Sequence, residues 1–197
     1  MGGIFFFLQI LTGQNPNSHY FLQESNPLFE LSTQHDASGW LYFQPNVIKK
    51  EQLLTHHRSS LGLDEDGTLV LHRSLDDRKR KNISSSARIH HKYYQYYKGI
   101  RIEAVELSVH TDKEDWIRVM HGDILHGMKF TIENTISEKV ALTNALKYMG
   151  AETYAWEIKA PEEDYSLPEG ELIFARINGP EIVPENYILA IVLTSSP

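Results

Sequence analysis

The sequence predicts an α+β fold in which helices pack against antiparallel β-sheet. Residues 88–123 are rich in aromatic and β-branched side chains and are interrupted by Gly99 and by a short polar loop, which is typical of three strands joined by hairpins. Two other stretches, 45–62 and 135–150, repeat apolar residues with the helical period and end in glycine. Alternation of strand-like and helix-like segments in one chain indicates the α+β class.

The first 44 residues are expected to precede the folded modules. Residues 1–14 have the length of a signal-peptide apolar region and end in small residues, but they lack a basic leader. They are predicted to be a signal peptide or its remnant, with a buried first strand as the alternative, and they are too short to cross a bilayer. Residues 15–44 predict an irregular lead-in, in which Trp40 to Phe43 form a short strand or anchor.

The first helix is predicted to begin at Pro45, because proline is tolerated at the first helical position, and to end at Gly62. Val47, Leu54 and Leu61 recur at seven-residue steps. This spacing predicts one apolar stripe that faces a core.

Two charged segments flank the strand predicted at 68–75. Residues 64–67, Asp-Glu-Asp-Gly, resemble the start of a calcium loop, but no acidic ligands follow at its later positions, so a solvated turn is predicted. Residues 78–81, Arg-Lys-Arg-Lys, lie between two predicted strands and precede a polar stretch. They predict an exposed loop.

The side-chain alternation changes phase inside the predicted sheet. The apolar positions are even-numbered from Ile100 to Ala104 and odd-numbered from Val105 to Val109. A slip of one residue predicts a β-bulge, because otherwise the second half of the strand would point its apolar side chains at water. We therefore expect this strand to bend over a helix.

The preceding strand carries four tyrosines. Tyr93 and Tyr97 face one way in a strand, whereas Tyr94 and Tyr96 face the other. One pair is predicted to pack on the helix, and the other is a candidate interface.

The C-terminal part is predicted to form a second helix followed by strands. Residues 135–138, Thr-Ile-Ser-Glu, match the capping-box pattern, and Gly150 is predicted to end the helix. Residues 153–158, 171–177 and 186–193 are predicted strands.

A family resemblance covers most of the sequence. Residues 93–100, Tyr-Tyr-Gln-Tyr-Tyr-Lys-Gly-Ile, resemble the signature of the fungalysin/thermolysin propeptide domain, which is the first half of the pro-region of secreted zinc metallopeptidases. Its later positions are matched by Glu106, Val109, His110 and Gly122. Ala104 stands where that family often has glycine, and Glu114-Asp115 replace the usual glycine of the hairpin turn.

The second helix and the strands after it resemble the PepSY module that follows in the same pro-regions. The matching residues are Ile136, Ser137, Glu138, Ala141, Ala145, Trp156, Pro168, Gly170, Glu171, Leu172, Tyr187, Leu189 and Ala190. The resemblance implies two small cystatin-like modules, at 45–130 and 131–197, each a helix packed on a curved antiparallel sheet. The second module is expected to be incomplete at its C-terminus.

The resemblance implies a non-catalytic pro-region that assists the folding of a secreted zinc metalloendopeptidase and inhibits it until cleaved. The expected partner is a thermolysin-like metallopeptidase domain, in cis or in trans, in a secreted, periplasmic or envelope setting. A stand-alone secreted or envelope peptidase inhibitor is the alternative. The predicted interface residues, chosen as large or charged residues on exposed sheet faces, are Tyr94, Tyr96, Glu106 and Trp116.

No catalytic residue, cofactor or metal ligand is predicted in this chain. The sequence contains no cysteine, no His-Glu-x-x-His and no Gly-x-Ser-x-Gly, so zinc is expected only in the associated peptidase domain. The adjacent histidine pairs at 56–57 and 90–91 point in different directions, and His110 and His121 are expected to flank a hairpin without pairing across it. A formal net charge of -7 argues against a nucleic-acid partner.

Overall fold

A computed structural model describes residues 26–36, 38–77, 88–133, 135–157 and 167–194. In these ranges the chain is an α+β structure with one mixed eight-stranded sheet and three helices, which confirms the predicted class. The helices are α1 (Pro27–Leu31), α2 (Lys50–Thr55) and α3 (Glu138–Met149). The strands are β1 (Gln34–His35), β2 (Leu41–Tyr42), β3 (Gly67–Asp76), β4 (Ile89–Tyr97), β5 (Ile100–Thr111), β6 (Ile117–Gly122), β7 (Glu169–Arg176) and β8 (Tyr187–Thr194). The predicted signal peptide and the basic segment 78–81 lie outside the described residues.

The main path of the sheet runs β1-β2-β6-β5-β4-β3, and every pair along it is antiparallel. The three strands predicted within 88–123 are therefore confirmed as β4, β5 and β6. Strand β5 also pairs in parallel with β7 at Arg101 and Ile102, and β7 pairs antiparallel with β8. Both halves of the chain thus contribute to one sheet. None of the helices in the described part of the chain has the length and apolar character needed to span a membrane.

The hairpin between β4 and β5 is closed by two residues, Lys98 and Gly99. Their φ angles are 49° and 79°, and the flanking Tyr97 and Ile100 pair directly. Positive φ at both central residues is the type I′ turn, whose twist matches that of the strands it joins. This turn sets the starting register of the hairpin.

The predicted β-bulge is confirmed in β5. Tyr96 pairs with Arg101, but Tyr94 pairs with Glu106. The register of β5 therefore shifts by three residues between these two positions of β4. Ala104 lies in the loop of the bulge with φ 55°, a left-handed conformation that is costly for a residue with a Cβ atom. Because the register shifts by an odd number of residues, the side chains of β5 that face the core change from even-numbered to odd-numbered positions.

Both predicted ends of the first helix are wrong. Helix α2 begins at Lys50 and not at Pro45, because Asn46 has a φ of 65° that no helix accommodates, and it ends at Thr55 and not at Gly62. The Gln52 side chain accepts a hydrogen bond of 2.8 Å from the Lys49 backbone N–H, which caps the shorter helix.

The predicted apolar stripe of this helix is correct only in part. Leu61 is fully buried, but it lies in a turn after α2, and Val47 is exposed. The helical residue that enters the core is Leu53, with Ile48 just before the helix. The shorter helix has a different phase, so a different leucine faces inward.

The second predicted helix is confirmed as α3, which ends at Gly150 with φ 63°. Its cap differs from the prediction: the Ser137 hydroxyl accepts from the Val140 N–H, and the Glu138 carboxylate accepts from the Gly170 N–H at 2.6 Å. Glu138 therefore joins the helix to β7 and does not complete a capping box.

The strand predicted at 153–158 is wrong, because residues 155–157 form a 3-10 turn. The Glu157 backbone N–H donates to the Tyr154 carbonyl at 2.9 Å, and the Glu157 carboxylate accepts from the Tyr154 N–H at 3.0 Å. The Trp156 ring stacks on Tyr154 with ring centroids 4.8 Å apart. These local contacts close a turn where the apolar pattern suggested an extended segment. The strands predicted at 171–177 and 186–193 are confirmed as β7 and β8.

Two apolar clusters form the core. The first lies under β3–β6 and includes Leu28, so the stretch predicted to be an irregular lead-in contributes helix α1 to the core. The second lies beyond the bulge and contains Tyr97, Ile102, Val105, Leu125, Met128, Phe174 and Tyr187. The second cluster contains residues of β4, β5, β7 and β8, so the added strands are held by side-chain packing as well as by backbone pairing.

An exposed ion pair supports the β5–β7 contact. Arg101 donates two hydrogen bonds, of 2.8 and 2.7 Å, to the Glu171 carboxylate, and this lowers the pKa of Glu171. Half of the Glu171 side chain is exposed, so solvent screening limits its contribution. In a double-mutant cycle with Arg101→Ala and Glu171→Ala, we expect a coupling free energy of about 0.5–1 kcal/mol at pH 7.

The coupling depends on pH with a definite sign. A carboxyl group whose pKa is lowered by folding stabilises the protein above its unfolded pKa, and this stabilisation is lost as the pH falls through the folded pKa. Urea unfolding of the four proteins at pH 7 and pH 3 measures the change. A coupling of equal size at both pH values would contradict the assignment of Arg101 and Glu171 as an ion pair.

Candidate functional site

The sheet has one face that packs on the core and one that stays open. In β4 the side chains of His91, Tyr93, Gln95 and Tyr97 are buried, whereas Lys92, Tyr94 and Tyr96 are half-buried. This alternation confirms that the four tyrosines divide into two pairs, and it shows that Tyr93 and Tyr97 are the core pair. We call the opposite side the open face: it carries His90, Lys92, Tyr94 and Tyr96 of β4, Glu106, Ser108 and His110 of β5, and His121 of β6.

Two predicted interface residues are brought together on the open face. Tyr94 and Glu106 are direct cross-strand partners. The Glu106 carboxylate accepts hydrogen bonds of 2.8 and 2.9 Å from the Lys92 ammonium, and the Tyr94 ring stacks on His72 of β3 with ring centroids 4.4 Å apart. An aromatic ring and an ion pair are therefore adjacent and accessible at the centre of this face.

The other two predicted residues are separated by the fold. Tyr96 lies on the open face beyond the bulge, opposite Arg101. Trp116 lies in the β5–β6 connection at the far end of β5, where the Lys49 ammonium is 5.2 Å from its ring centroid. Tyr94, Tyr96 and Glu106 thus belong to one surface, and Trp116 belongs to another.

A row of histidines crosses the open face. As expected, His110 and His121 are not direct partners across the hairpin, but their rings meet diagonally. His110 Nε2 lies 3.1 Å from His121 Nε2, and His110 Nδ1 lies 2.5 Å from His90 Nδ1. His90 Nε2 is 2.6 Å from the Asp77 carboxylate. We call Asp77, His90, His110 and His121 the histidine chain.

The hydrogen bonds of the histidine chain have only one consistent direction when all three rings are neutral. An ionised carboxylate only accepts, so His90 Nε2 donates to Asp77 and His90 Nδ1 must accept. His110 then donates from Nδ1 and accepts at Nε2, and His121 donates from Nε2. Every N–H that joins two members of the chain points toward Asp77. His121 Nδ1 is the end of the chain farthest from Asp77.

Burial and neighbouring basic groups keep the centre of this chain neutral. Burial lowers the pKa of His110 to about 4, assisted by repulsion from His90, His121 and Arg88. Burial also lowers the pKa of His121, whose ring stacks on Trp40 with centroids 3.8 Å apart. Near neutral pH the rings of His110 and His121 are therefore uncharged.

The sequence contained a partial signal for the histidine chain. Alternation places His110 on the side of Glu106, and it places His90 on the side of Lys92. The type I′ turn alone would pair His90 with Leu107, whereas the bulge moves its partner to His110. The size of the bulge, which the sequence does not reveal, decides the contact.

The arrangement is suited to binding. The described residues include no group of three or more His, Asp or Glu side chains placed to hold a metal ion. Comparison with protein-family models gives no match for this chain, and comparison with curated proteins gives none. Accessible aromatic side chains such as Tyr94 and Tyr96 are enriched in protein interfaces.

Proposed function

We propose that this chain is a non-catalytic pro-region of a secreted thermolysin-like zinc metalloendopeptidase, which it helps to fold and inhibits until it is cleaved. The family resemblance supplies the class of partner, and the open face is the observation that carries the proposal. Zinc would belong to the partner domain. Binding selectively to the folded peptidase stabilises that domain by mass action, and the bound surface blocks its cleft.

The fold supports the finer proposal of two cystatin-like modules. Helix α2 packs on the core side of the curved strands β3–β6, and α3 packs beside β7 and β8. Ala104, at a position where the resembling family often has glycine, adopts a left-handed φ of 55°. Glycine adopts a positive φ without steric cost, which explains why the resembling family often has glycine at this position.

Tyrosines on an accessible sheet face are effective contact residues, because they bury a large rigid surface at low cost in side-chain entropy. Tyr94 is held by stacking on His72 and lies opposite Glu106, so its ring is oriented before binding. We therefore assign Tyr94 and Tyr96 as the central contacts and Glu106 as a charged neighbour.

The first test is inhibition of a purified thermolysin-like peptidase by the full chain. We expect tight inhibition, and we expect the double variant Tyr94→Ala/Tyr96→Ala to inhibit at least about 30-fold more weakly, as truncation of a central contact that costs about 2 kcal/mol predicts. The yield of active peptidase on refolding with each protein measures the assisting role.

The matched control is Tyr148→Ala. Tyr148 is 93% exposed on α3, outside the open face, so its truncation should leave inhibition unchanged. Circular dichroism and Tm of all variants establish that they are folded. Inhibition by the double variant as strong as that by the wild type would refute the assignment of the open face, and no effect of the wild type on inhibition or refolding would refute the proposed function.

A further inference from the structure

The histidine chain can accept one proton without losing any of its three contacts. A proton that binds at His121 Nδ1 allows His121 to pass its Nε2 proton to His110, and His110 to pass its Nδ1 proton to His90. Each N–H···N bond then reverses its direction, and the contact between His90 and Asp77 is kept. The number of hydrogen bonds is the same before and after.

A second proton cannot be accommodated in this way. Each of the two contacts between rings has room for one hydrogen. His90 Nε2 and His121 Nδ1, at the ends of the chain, can carry one each, so the chain holds four ring hydrogens at most. A fifth hydrogen places two N–H groups against each other across a distance of 2.5 or 3.1 Å, so one contact must open. The first proton therefore disfavours the second, and protonation beyond the first disrupts the open face.

The surroundings of the chain are of mixed charge. Among the residues that the structure describes, the titratable and charged groups near it are Asp36 beside β1, Arg73 and Asp77 at β3, Arg88, His91 and Lys92 at β4, and Glu106 on β5. Asp36 and Glu106 favour the protonated form of His121, whereas Lys92 opposes it. Burial lowers the pKa of His110, and the neighbouring groups that act on it in the same direction, His90, His121, Arg88 and His91, are all basic.

From this geometry we infer that the histidine chain is a proton-binding unit that releases a partner docked on the open face when the pH falls. The inference rests on the proposed function, since it concerns the regulation of the same surface. A docked protein removes water from the rings and so disfavours their charged forms. By linkage, protons that favour the charged forms must weaken docking.

The sign of the effect follows from the neutral bound state. A histidine whose pKa is lowered by folding is neutral in the folded chain at a pH where the unfolded group would be charged. For His110 the folded state is therefore not penalised above about pH 6.5, and folding stability is lost as the pH falls toward about 4. Each histidine whose pKa is lowered by one further unit on docking weakens binding up to about tenfold in acid.

The test measures the affinity of the full chain for a catalytically inactive thermolysin-like peptidase between pH 7.5 and pH 4.0, the pH near which His110 titrates. We expect the wild type to bind at least about threefold more weakly at pH 4.0 than at pH 7.5. His110→Gln removes the central ring, and His121→Gln removes the outer one; each should make this change smaller than in the wild type. His56→Gln, at an exposed histidine after α2, should keep the wild-type profile.

A second measurement needs no partner. Nitrogen-15 NMR of the histidine rings in the free chain should show the Nδ1–H tautomer for His110 and the Nε2–H tautomer for His90 and His121 at pH 7.5. The opposite tautomer at His110 would overturn the proton-binding unit.

The outcomes of the two measurements separate the inference from the proposed function. Binding with the same pH profile in wild type and His110→Gln overturns the inference and leaves the proposed function standing. An absence of binding at every pH overturns the proposed function and the release of a partner, and the tautomers then decide whether the row is a proton-binding unit.

Discussion

Replacing Gly122 with alanine is expected to destabilise the protein by roughly 2–6 kcal/mol, which combines about 1–3 kcal/mol of backbone strain with about 1–3 kcal/mol of overpacking. Gly122 has φ 127°, and a Cβ atom there would lie 2.2 Å from the Glu106 carbonyl oxygen. That oxygen already accepts from the Asp123 N–H at 3.1 Å, so it has no freedom to move away. The close approach of β6 to β5 at the bulge therefore requires glycine.

Gly127→Ala is the matched control for this substitution. Gly127 also has a positive φ, of 69°, but a Cβ atom there meets nothing within 4 Å. We expect it to cost about 1–2 kcal/mol, the strain of the left-handed conformation alone. Urea unfolding of the three proteins gives the difference, and equal costs for the two variants would contradict the close contact at Gly122.

Replacing Gln95 with leucine is the second substitution with a large expected effect. Gln95 is fully buried, and its amide donates to the Leu125 carbonyl at 2.6 Å and accepts from the Leu125 N–H at 2.8 Å. Leucine would leave both backbone groups of Leu125 without a partner in the core. At about 1–3 kcal/mol for each buried unsatisfied group, we expect a loss of roughly 2–6 kcal/mol.

Gln44→Leu controls for the change of side chain, because Gln44 is exposed. We expect its effect to stay within about 0.5 kcal/mol. Chemical unfolding monitored by tryptophan fluorescence measures both variants, and hydrogen exchange of the Leu125 amide reports the local effect. A Leu125 amide that exchanges equally slowly in Gln95→Leu and wild type would show that Gln95 does not hold this segment.

Both substitutions act on the bulge that shapes the open face. Gly122 lets β6 approach β5 beside Glu106, and Gln95 lies in the step of β4 across which the register changes. Partial loss of this geometry should weaken inhibition more than the loss of stability alone explains, because Tyr94 and Glu106 are positioned by the same register.

The sequence predicts which side chains of a strand share a face, and this was enough to find most of the candidate interface. Tyr94, Tyr96 and Glu106 lie on the accessible side because a strand alternates its faces, and the slip of phase between Ala104 and Val105 located the bulge. Trp116 was predicted with them as a large residue on an exposed sheet face. The alternation of faces does not show how far apart two residues lie along the sheet, and the structure places Trp116 at the far end of β5.

The α+β class, the core strands and the C-terminal end of α3 could be predicted from the sequence alone, because these depend on local periodicity and on residues such as Gly99 and Gly150 that permit a positive φ. The histidine chain could not, because it depends on long-range pairing. The pairing of His90 with His110 depends on the three-residue move of register at the bulge, and their contact with His121 depends on the pairing of β6 with β5. Long-range register is set by how the buried faces pack, and no local pattern in the chain specifies it.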